Sequence, residues 1–296
     1  MAKASTLGVV GLGRMGGPLA QRFMKLNVPL MVWDTASSCR KPFENKRRVR
    51  IANVADMARE CSVIFCVVPS SKEIAACLYG TEGILRHARK GLVICDLTTS
   101  DPAETRKLAR RTAGRGIQYI DAGMSGGPAG ILAGKLTLMV GGDAKVLARI
   151  KRHLASFAEN IFYLGPSGSG HAMKLIHNMA VHTIFLATCE SACLASRMGM
   201  RVADMIKVFN VSTAFSYASR HRFPNNILNG SWNAQARIYN PWKDVGLAVR
   251  LARECGADVE LGERTFAFLK KAVARGMIEK DYSLLYRDFE KIKSGA

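Results

Sequence analysis

Val9-Val10-Gly11-Leu12-Gly13-Arg14-Met15-Gly16-Gly17-Pro18-Leu19-Ala20 reads as the end of a strand, a tight glycine turn and the first turns of a helix. Gly11, Gly13 and Gly16 stand in G-x-G-x-x-G spacing, and each has its own physical job. Gly11 permits the turn. Gly13, with no Cβ, lets the backbone close on a pyrophosphate, and Gly16 lets the helix lie flat on the strand. The N–H groups that open the helix point at the phosphates, where the helix dipole also favours negative charge. Leu12, Arg14 and Met15 complete this expected dinucleotide cradle. A glycine-rich turn alone is weak evidence, but its surroundings agree. Thr6 to Val10 reads as a strand, and Met15, Leu19, Phe23 and Leu26 recur at helical spacing. A second strand, Leu30-Met31-Val32-Trp33, ends at Asp34, 21 positions after Gly13. An acidic side chain there accepts hydrogen bonds from the adenosine ribose and favours NAD. NADP ranks second: Arg40 or Lys41 would have to hold a 2′-phosphate that Asp34 repels.

Further along, the apolar runs Ser62–Val68 and Leu92–Asp96 suit strands buried on both faces of a parallel sheet. Helical stretches alternate with them, beginning at Ser70-Ser71 and Asp101-Pro102. The alternation predicts an α/β fold, an N-terminal Rossmann-type doubly wound parallel sheet. Ligands bind such sheets beyond the carboxyl ends of the strands, so the segments after Val10, Trp33, Val68 and Asp96 are expected to line one crevice. A strand Gln118–Ala122 leads into Gly123-Met124-Ser125-Gly126-Gly127-Pro128, where one hydroxyl and two adjacent glycine N–H groups form an anion cradle. Gly165-Pro166-Ser167-Gly168-Ser169-Gly170 reads as a hinge, and everything beyond it as helix. The expected domains are therefore 1–165 and an all-α domain 166–296, linked by a long helix over 172–198. Lys174, His177 and Asn178 share a face near its start. Polar groups on a mostly apolar helix need a reason. His171 and His182 read as structural.

Composition narrows the partners. The chain has 296 residues, 48% of them hydrophobic, and a net charge of +20 from 43 basic and 23 acidic residues. The cations are scattered. The one dense run, around Arg40-Lys41 and Lys46-Arg47-Arg48-Val49-Arg50, carries no interleaved aromatics, which argues against specific nucleic-acid binding. Eight cysteines at 39, 61, 66, 77, 95, 189, 193 and 255 include no C-x-x-C pair. They suit a reduced, cytoplasmic protein without a metal site. No signal peptide is expected, because the first strand begins within a few residues of Met1. No membrane span is expected either, since the longest apolar helix contains Lys174, His177, His182 and Glu190.

Four motifs in order resemble the β-hydroxyacid dehydrogenases: Gly11-Leu12-Gly13-Arg14-Met15-Gly16, Asp121-Ala122-Gly123-Met124-Ser125-Gly126-Gly127, Gly168-Ser169-Gly170-His171-Ala172-Met173-Lys174 with Asn178, and Lys243-Asp244. The resemblance implies NAD(H)-dependent interconversion of a short 3-hydroxy acid and its semialdehyde, of the 3-hydroxyisobutyrate or tartronate semialdehyde type. It implies Lys174 as general acid–base, Ser125, Gly126 and Gly127 as the substrate carboxylate cradle, and Asn178 as an orienting group. It also implies Lys243 beside nicotinamide and substrate, with Val68, Pro69 and Thr99 against the nicotinamide half. A homodimer or homotetramer is expected on the same ground. The alternatives are an NADP-dependent member acting on a phosphorylated or sulfonated hydroxy acid, and a non-enzymatic binding protein. Three departures stand out. Gly123-Met124 replaces the more usual Pro-Val before Ser125. His177 gives a Lys-x-x-His-Asn pattern similar to the 6-phosphogluconate dehydrogenases. The segment Phe215 to Trp242, with Arg220, His221, Arg222 and Arg237, matches only loosely, and its cations are either substrate contacts or surface charges.

Overall fold

The strands β1 Leu7–Val10, β2 Leu30–Trp33, β3 Val49–Ile51, β4 Val63–Cys66, β5 Val93–Asp96, β6 Gln118–Ser125, β7 Leu136–Gly142 and β8 Ala158–Tyr163 form one sheet in the computed structural model, which describes residues 6–294. Their order is β3-β2-β1-β4-β5-β6-β7-β8. The direction of winding reverses between β1 and β4, where such sheets open a ligand crevice. The register makes that crevice level. Val10 pairs with Trp33 and Cys66, Cys66 with Asp96, and Asp96 with Asp121. The segments expected to face one crevice thus leave the sheet from a single row.

The sheet is parallel from β3 to β6, but β7 runs antiparallel to β6 and β8 follows β7. Chain length explains the reversal. Ten residues separate Ser125 from Leu136, and the Gly127–Ala133 helix uses most of them. A parallel return needs about a dozen residues or more. β6 also continues through Gly123 and Met124 to Ser125, where the sequence suggests a turn.

Helices cover both faces. On one, Phe23 of the Gly16–Lys25 helix meets Phe65 and Phe157, with ring centroids 5.3 and 5.8 Å away. On the other, Met57, Ile74, Leu78 and Ile84 pack against Val10, Ile64, Cys66 and Ile94. Alternate residues of β1 and β4 therefore serve opposite cores, which is why their sequences read as unbroken apolar runs.

The long helix runs Ser169–Arg197, three residues earlier than its apolar pattern predicts. The reason is remote in sequence. The buried Asp121 carboxylate on β6 accepts the Gly168 N–H at 2.8 Å and the His171 N–H at 3.0 Å. Two orphan donors of the helix start are thereby satisfied, so the expected hinge is a fixed helix terminus. Gly199, at φ +76°, closes the other end. By length and composition this helix could cross a membrane. Its Phe185, Leu186, Cys189 and Ala192 instead lie in the core of a helical unit.

The chain divides into two compact units, one up to Lys174 and one from Leu175 onward, so the division falls inside the long helix. The second unit packs Phe185, Phe223, Val245, Leu269 and Leu285 together. Its helices include Val202–Val211, Tyr239–Glu254 and Glu260–Ala274, and a wide π-type helix spans Ala218–Leu228. Pro224 lies inside that last helix and lacks a backbone donor there.

Candidate active site

The glycine loop is fixed from three sides. The Gly11 N–H donates to the Trp33 carbonyl at 2.8 Å, and the Leu12 N–H to Asp34 Oδ2 at 2.7 Å. A Cβ on Gly16 would overlap the Gly11 carbonyl oxygen, so helix and loop touch backbone to backbone. A Cβ on Gly13 would meet nothing within 4 Å, which leaves the room a pyrophosphate requires. The Gly16–Lys25 helix has no side-chain cap. The helices after Asn53, Ser70, Asp101 and Asp143 are each capped by that residue's own side chain. An N-terminus without a side-chain cap beside an open glycine backbone fits a bound dinucleotide. Asp34 also accepts the Ala36 N–H at 2.8 Å, which holds its carboxylate at the loop.

The loops after β4 and β5 are tied together. The Val68 N–H donates to Thr98 Oγ1 at 3.3 Å, and the Asp101 N–H to Ser71 Oγ at 3.1 Å. Val68, Pro69 and Thr99 therefore sit on adjoining loops. Below them is a buried polar group. Asp96 accepts the Thr98 N–H at 2.9 Å and the Tyr119 hydroxyl at 2.7 Å. His171 meets Thr105 Oγ1 through Nδ1 at 2.8 Å, and its Nε2 lies 3.3 Å from the Asp96 carbonyl oxygen. Burial raises the Asp96 carboxyl above its ordinary value, against the opposing pull of His171 and the Tyr119 and Thr98 hydrogen bonds. His171 is thus a structural tie between the long helix and β5.

Lys174 is buried on the second turn from Asp121's anchored terminus. Its stem crosses the β6 backbone at Gly123, where an added Cβ would stand 2.6 Å from Lys174 Cβ and 3.0 Å from Cγ. At Gly123, in place of the more usual proline, the lysine stem thus rests on bare main chain, and an added Cβ would force the stem to shift. Gly123→Ala is expected to displace the ammonium and lower kcat at least tenfold. Steady-state kinetics beside a thermal melt checks this, and unaltered kcat contradicts it. Ser125 ends β6 two residues on, and Gly126 and Gly127 take φ +123° and +67° before the Gly127–Ala133 helix, which also lacks a side-chain cap.

In the helical unit, Asn178 Nδ2–H donates to Asp244 Oδ2 at 2.7 Å, while the Lys243 ammonium lies 3.0 Å from Asp244 Oδ1. Asp244 is 5% exposed and so organises both residues from within. The Lys243-Asp244 motif contains it without giving it a task; the signal was an acid on the buried, otherwise apolar face of an amphipathic helix. His177 Nδ1 lies 2.9 Å from Asn178 Oδ1, so the imidazole steadies the amide. Of the loosely matched cations, Arg237 pairs with Glu279 at 2.7 Å and Arg220 lies over the Phe215 ring at 4.4 Å. Among the described residues, no group of three or more His, Cys, Asp or Glu could hold a metal.

Comparison with known proteins adds independent weight. A family model described as the NAD-binding domain of 6-phosphogluconate dehydrogenase matches residues 6–165. A second, the NAD-binding domain of NADP-dependent 3-hydroxyisobutyrate dehydrogenase, matches residues 168–289. The chain belongs to the β-hydroxyacid dehydrogenase family. Mitochondrial 3-hydroxyisobutyrate dehydrogenase of Homo sapiens is 29% identical, over 97% of this chain and 87% of the human protein. The 2-(hydroxymethyl)glutarate dehydrogenase of Eubacterium barkeri is 26% identical, over 99% and 97%. The crystal structure of a 3-hydroxyisobutyrate dehydrogenase from Salmonella typhimurium has the same fold, with TM-score 0.86, 20% identity, and coverage of 96% and 99%. This member is a dehydrogenase acting on a hydroxyl group, with a nicotinamide dinucleotide as cofactor.

Proposed function

We propose that the enzyme interconverts a short 3-hydroxy acid and its semialdehyde with NAD(H), using Lys174 as the proton-transfer group. The observation that carries this reading is Lys174 itself. Its amine lies at low exposure in the sheet unit, on a helix start anchored by Asp121 and pressed against Gly123. When bound, the nicotinamide exchanges hydride with the substrate carbon. In reduction the Lys174 ammonium donates a proton to the carbonyl oxygen, and in oxidation the neutral amine takes the hydroxyl proton. The Ser125 hydroxyl and the Gly126 and Gly127 N–H groups receive the substrate carboxylate. Asn178 gives one amide N–H to Asp244, and its second is available to the substrate. Lys243, held by Asp244, adds positive charge.

A panel of 3-hydroxyisobutyrate, L-serine and 2-(hydroxymethyl)glutarate with NAD⁺ and NADP⁺, followed by absorbance of the reduced nicotinamide, tests the reading. Turnover of none of them would sink it and leave a binding protein in its place.

NAD is the favoured cofactor because two backbone N–H groups hold the Asp34 carboxylate in place. It therefore cannot swing away from a 2′-phosphate. Arg40, the cation closest in sequence, is engaged over the Trp33 ring at 4.6 Å and with the Asp34 carbonyl at 2.6 Å. Asp34→Ala is expected to raise the KM for NAD⁺ and improve the relative use of NADP⁺ about tenfold or more. An unchanged cofactor ratio would place ribose recognition elsewhere.

We also read the enzyme as a cytoplasmic homo-oligomer. All eight cysteines are free, as a reducing compartment favours. Ile176, Ala180, Ile184 and Ala187, at three- and four-residue steps, and Leu194 one heptad further on form an exposed apolar stripe along the long helix, interrupted by Glu190. Light scattering that returns only the 32.3 kDa chain mass would refute association.

A further inference from the structure

A groove of about 630 Å³ opens on the sheet unit, lined in part by Leu78, Tyr79, Thr81, Arg86, Arg111 and Arg115. Its place follows from the winding. The Ser71–Tyr79 helix starts beyond the carboxyl end of β4, and the Pro102–Ala113 helix beyond that of β5. Both run back alongside strands that are parallel from β4 to β6. Tyr79 ends the first helix and Arg111 lies in the last turn of the second, so the groove sits at the amino ends of the strands. The second helix has 12 residues and spans roughly 18 Å, with the dinucleotide crevice at one end and this groove at the other.

Arg86 stands far from Arg111 and Arg115 in sequence, and only folding gathers the three. No acidic residue lines the groove. Among the described residues none of the three pairs with a carboxylate, although Arg50, Arg59, Arg253 and Arg264, exposed like them, each hold one. The Arg111 guanidinium lies over the Tyr79 ring, 5.2 Å from its centroid, which fixes its direction. The helix dipole accounts for a basic residue in a last turn. It does not account for three guanidinium groups around one open space. Like charges gathered in this way repel one another, and a multivalent anion relieves them. Guanidinium forks also match phosphate oxygens two at a time. A carboxylate would answer one of the three charges, whereas a chain of phosphates answers all of them. Tyr79, half-exposed, leaves part of its ring open to a base.

We propose that this groove is a binding site for an oligophosphate, a chain of two or more phosphate groups held by Arg86, Arg111 and Arg115, separate from the dinucleotide crevice. The site belongs to the sheet unit alone and is independent of the reaction assigned to Lys174. It also gives part of the +20 net charge a task, which a small hydroxy acid and one dinucleotide leave largely unused.

The test is calorimetric titration of the full-length enzyme with sodium tripolyphosphate, in an excess of NADH and NADPH that keeps the dinucleotide crevice filled. One site per chain is expected, about tenfold or more tighter than for inorganic phosphate. Arg86→Gln, Arg111→Gln and Arg115→Gln together should weaken it about tenfold or more and leave NADH binding unchanged. Lys145→Gln, Lys151→Gln and Arg152→Gln together remove the same charge from exposed positions on the Ala144–Ala155 helix, and should leave tripolyphosphate affinity within about twofold. Circular dichroism verifies folding. Should the groove variant not fold, Arg115→Gln alone, beyond the end of its helix, carries the test with a loss of about threefold or more. No binding, equal losses in the two triple variants, or displacement of tripolyphosphate by the dinucleotides overturns the proposal. ATP is titrated in parallel to identify the source of the phosphates. Tighter binding of ATP that Tyr79→Ala brings down to the tripolyphosphate level identifies a nucleotide. Equal or weaker binding of ATP identifies the phosphate chain alone, and either result supports the site.

Discussion

Lys174→Ala should lose about 10²- to 10⁴-fold in kcat, the usual worth of a positioned acid–base, while NADH still binds. The truncation removes the amine and most of a buried stem, yet leaves untouched the contacts that place the helix. Asp121 still receives the Gly168 and His171 N–H groups, and His171 still joins Thr105 and Asp96. The glycine loop and Asp34 are likewise intact, so NADH fluorescence should report normal binding. That split, with dead chemistry and a sound cofactor site, is the signature of a proton-transfer residue. Ordinary turnover in this variant would remove Lys174 from the mechanism. Failure to bind NADH would show that the lysine is needed for structure.

Asp121→Ala should do the opposite and damage the fold first. Asp121 is fully buried and makes two hydrogen bonds to the terminus of the long helix. Hydrogen bonds to a charged acceptor contribute roughly 1.5–3 kcal/mol each. Losing both leaves two buried N–H groups unpaired, for a total of about 3–6 kcal/mol. In a unit of this size that lowers the denaturation midpoint by roughly 10 °C. Asp121→Asn should keep part of this, because its carbonyl can accept one N–H while its NH₂ group opposes the other. A melt within a degree or two of the parent for Asp121→Ala would mean that the helix start is held by other contacts.

The two cases mark what could be read from the chain and what could not. The strands, their parallel order up to β6 and the crevice at their carboxyl ends follow from local pattern, because buried parallel strands and amphipathic helices have distinct periods. The glycine loop is legible for the same reason, since its spacing is short. The antiparallel β7 required counting the residues available for a return. Asp121's hold on Gly168 spans 47 positions and that of Asp244 on Asn178 spans 66, and neither leaves a local trace. The glycines at 165–170 suggest looseness because sequence shows their freedom and not the carboxylate that removes it. The segment Ala218–Leu228 falls within the part that reads as helix, but its π-type widening around Pro224 leaves no local signature. Gly123 looked like part of a turn, although its role is to make space for a neighbour.

That neighbour relation limits how the enzyme can be altered. The surface behind the Lys174 stem is main chain, with no side chain to exchange. Anyone wishing to shift the acidity of this amine, for instance to favour oxidation under milder alkali, has no side chain to exchange at position 123. Laboratory evolution would have to find its substitutions on the remaining sides of the lysine, and a replacement at position 123 should survive only together with a change that moves the stem.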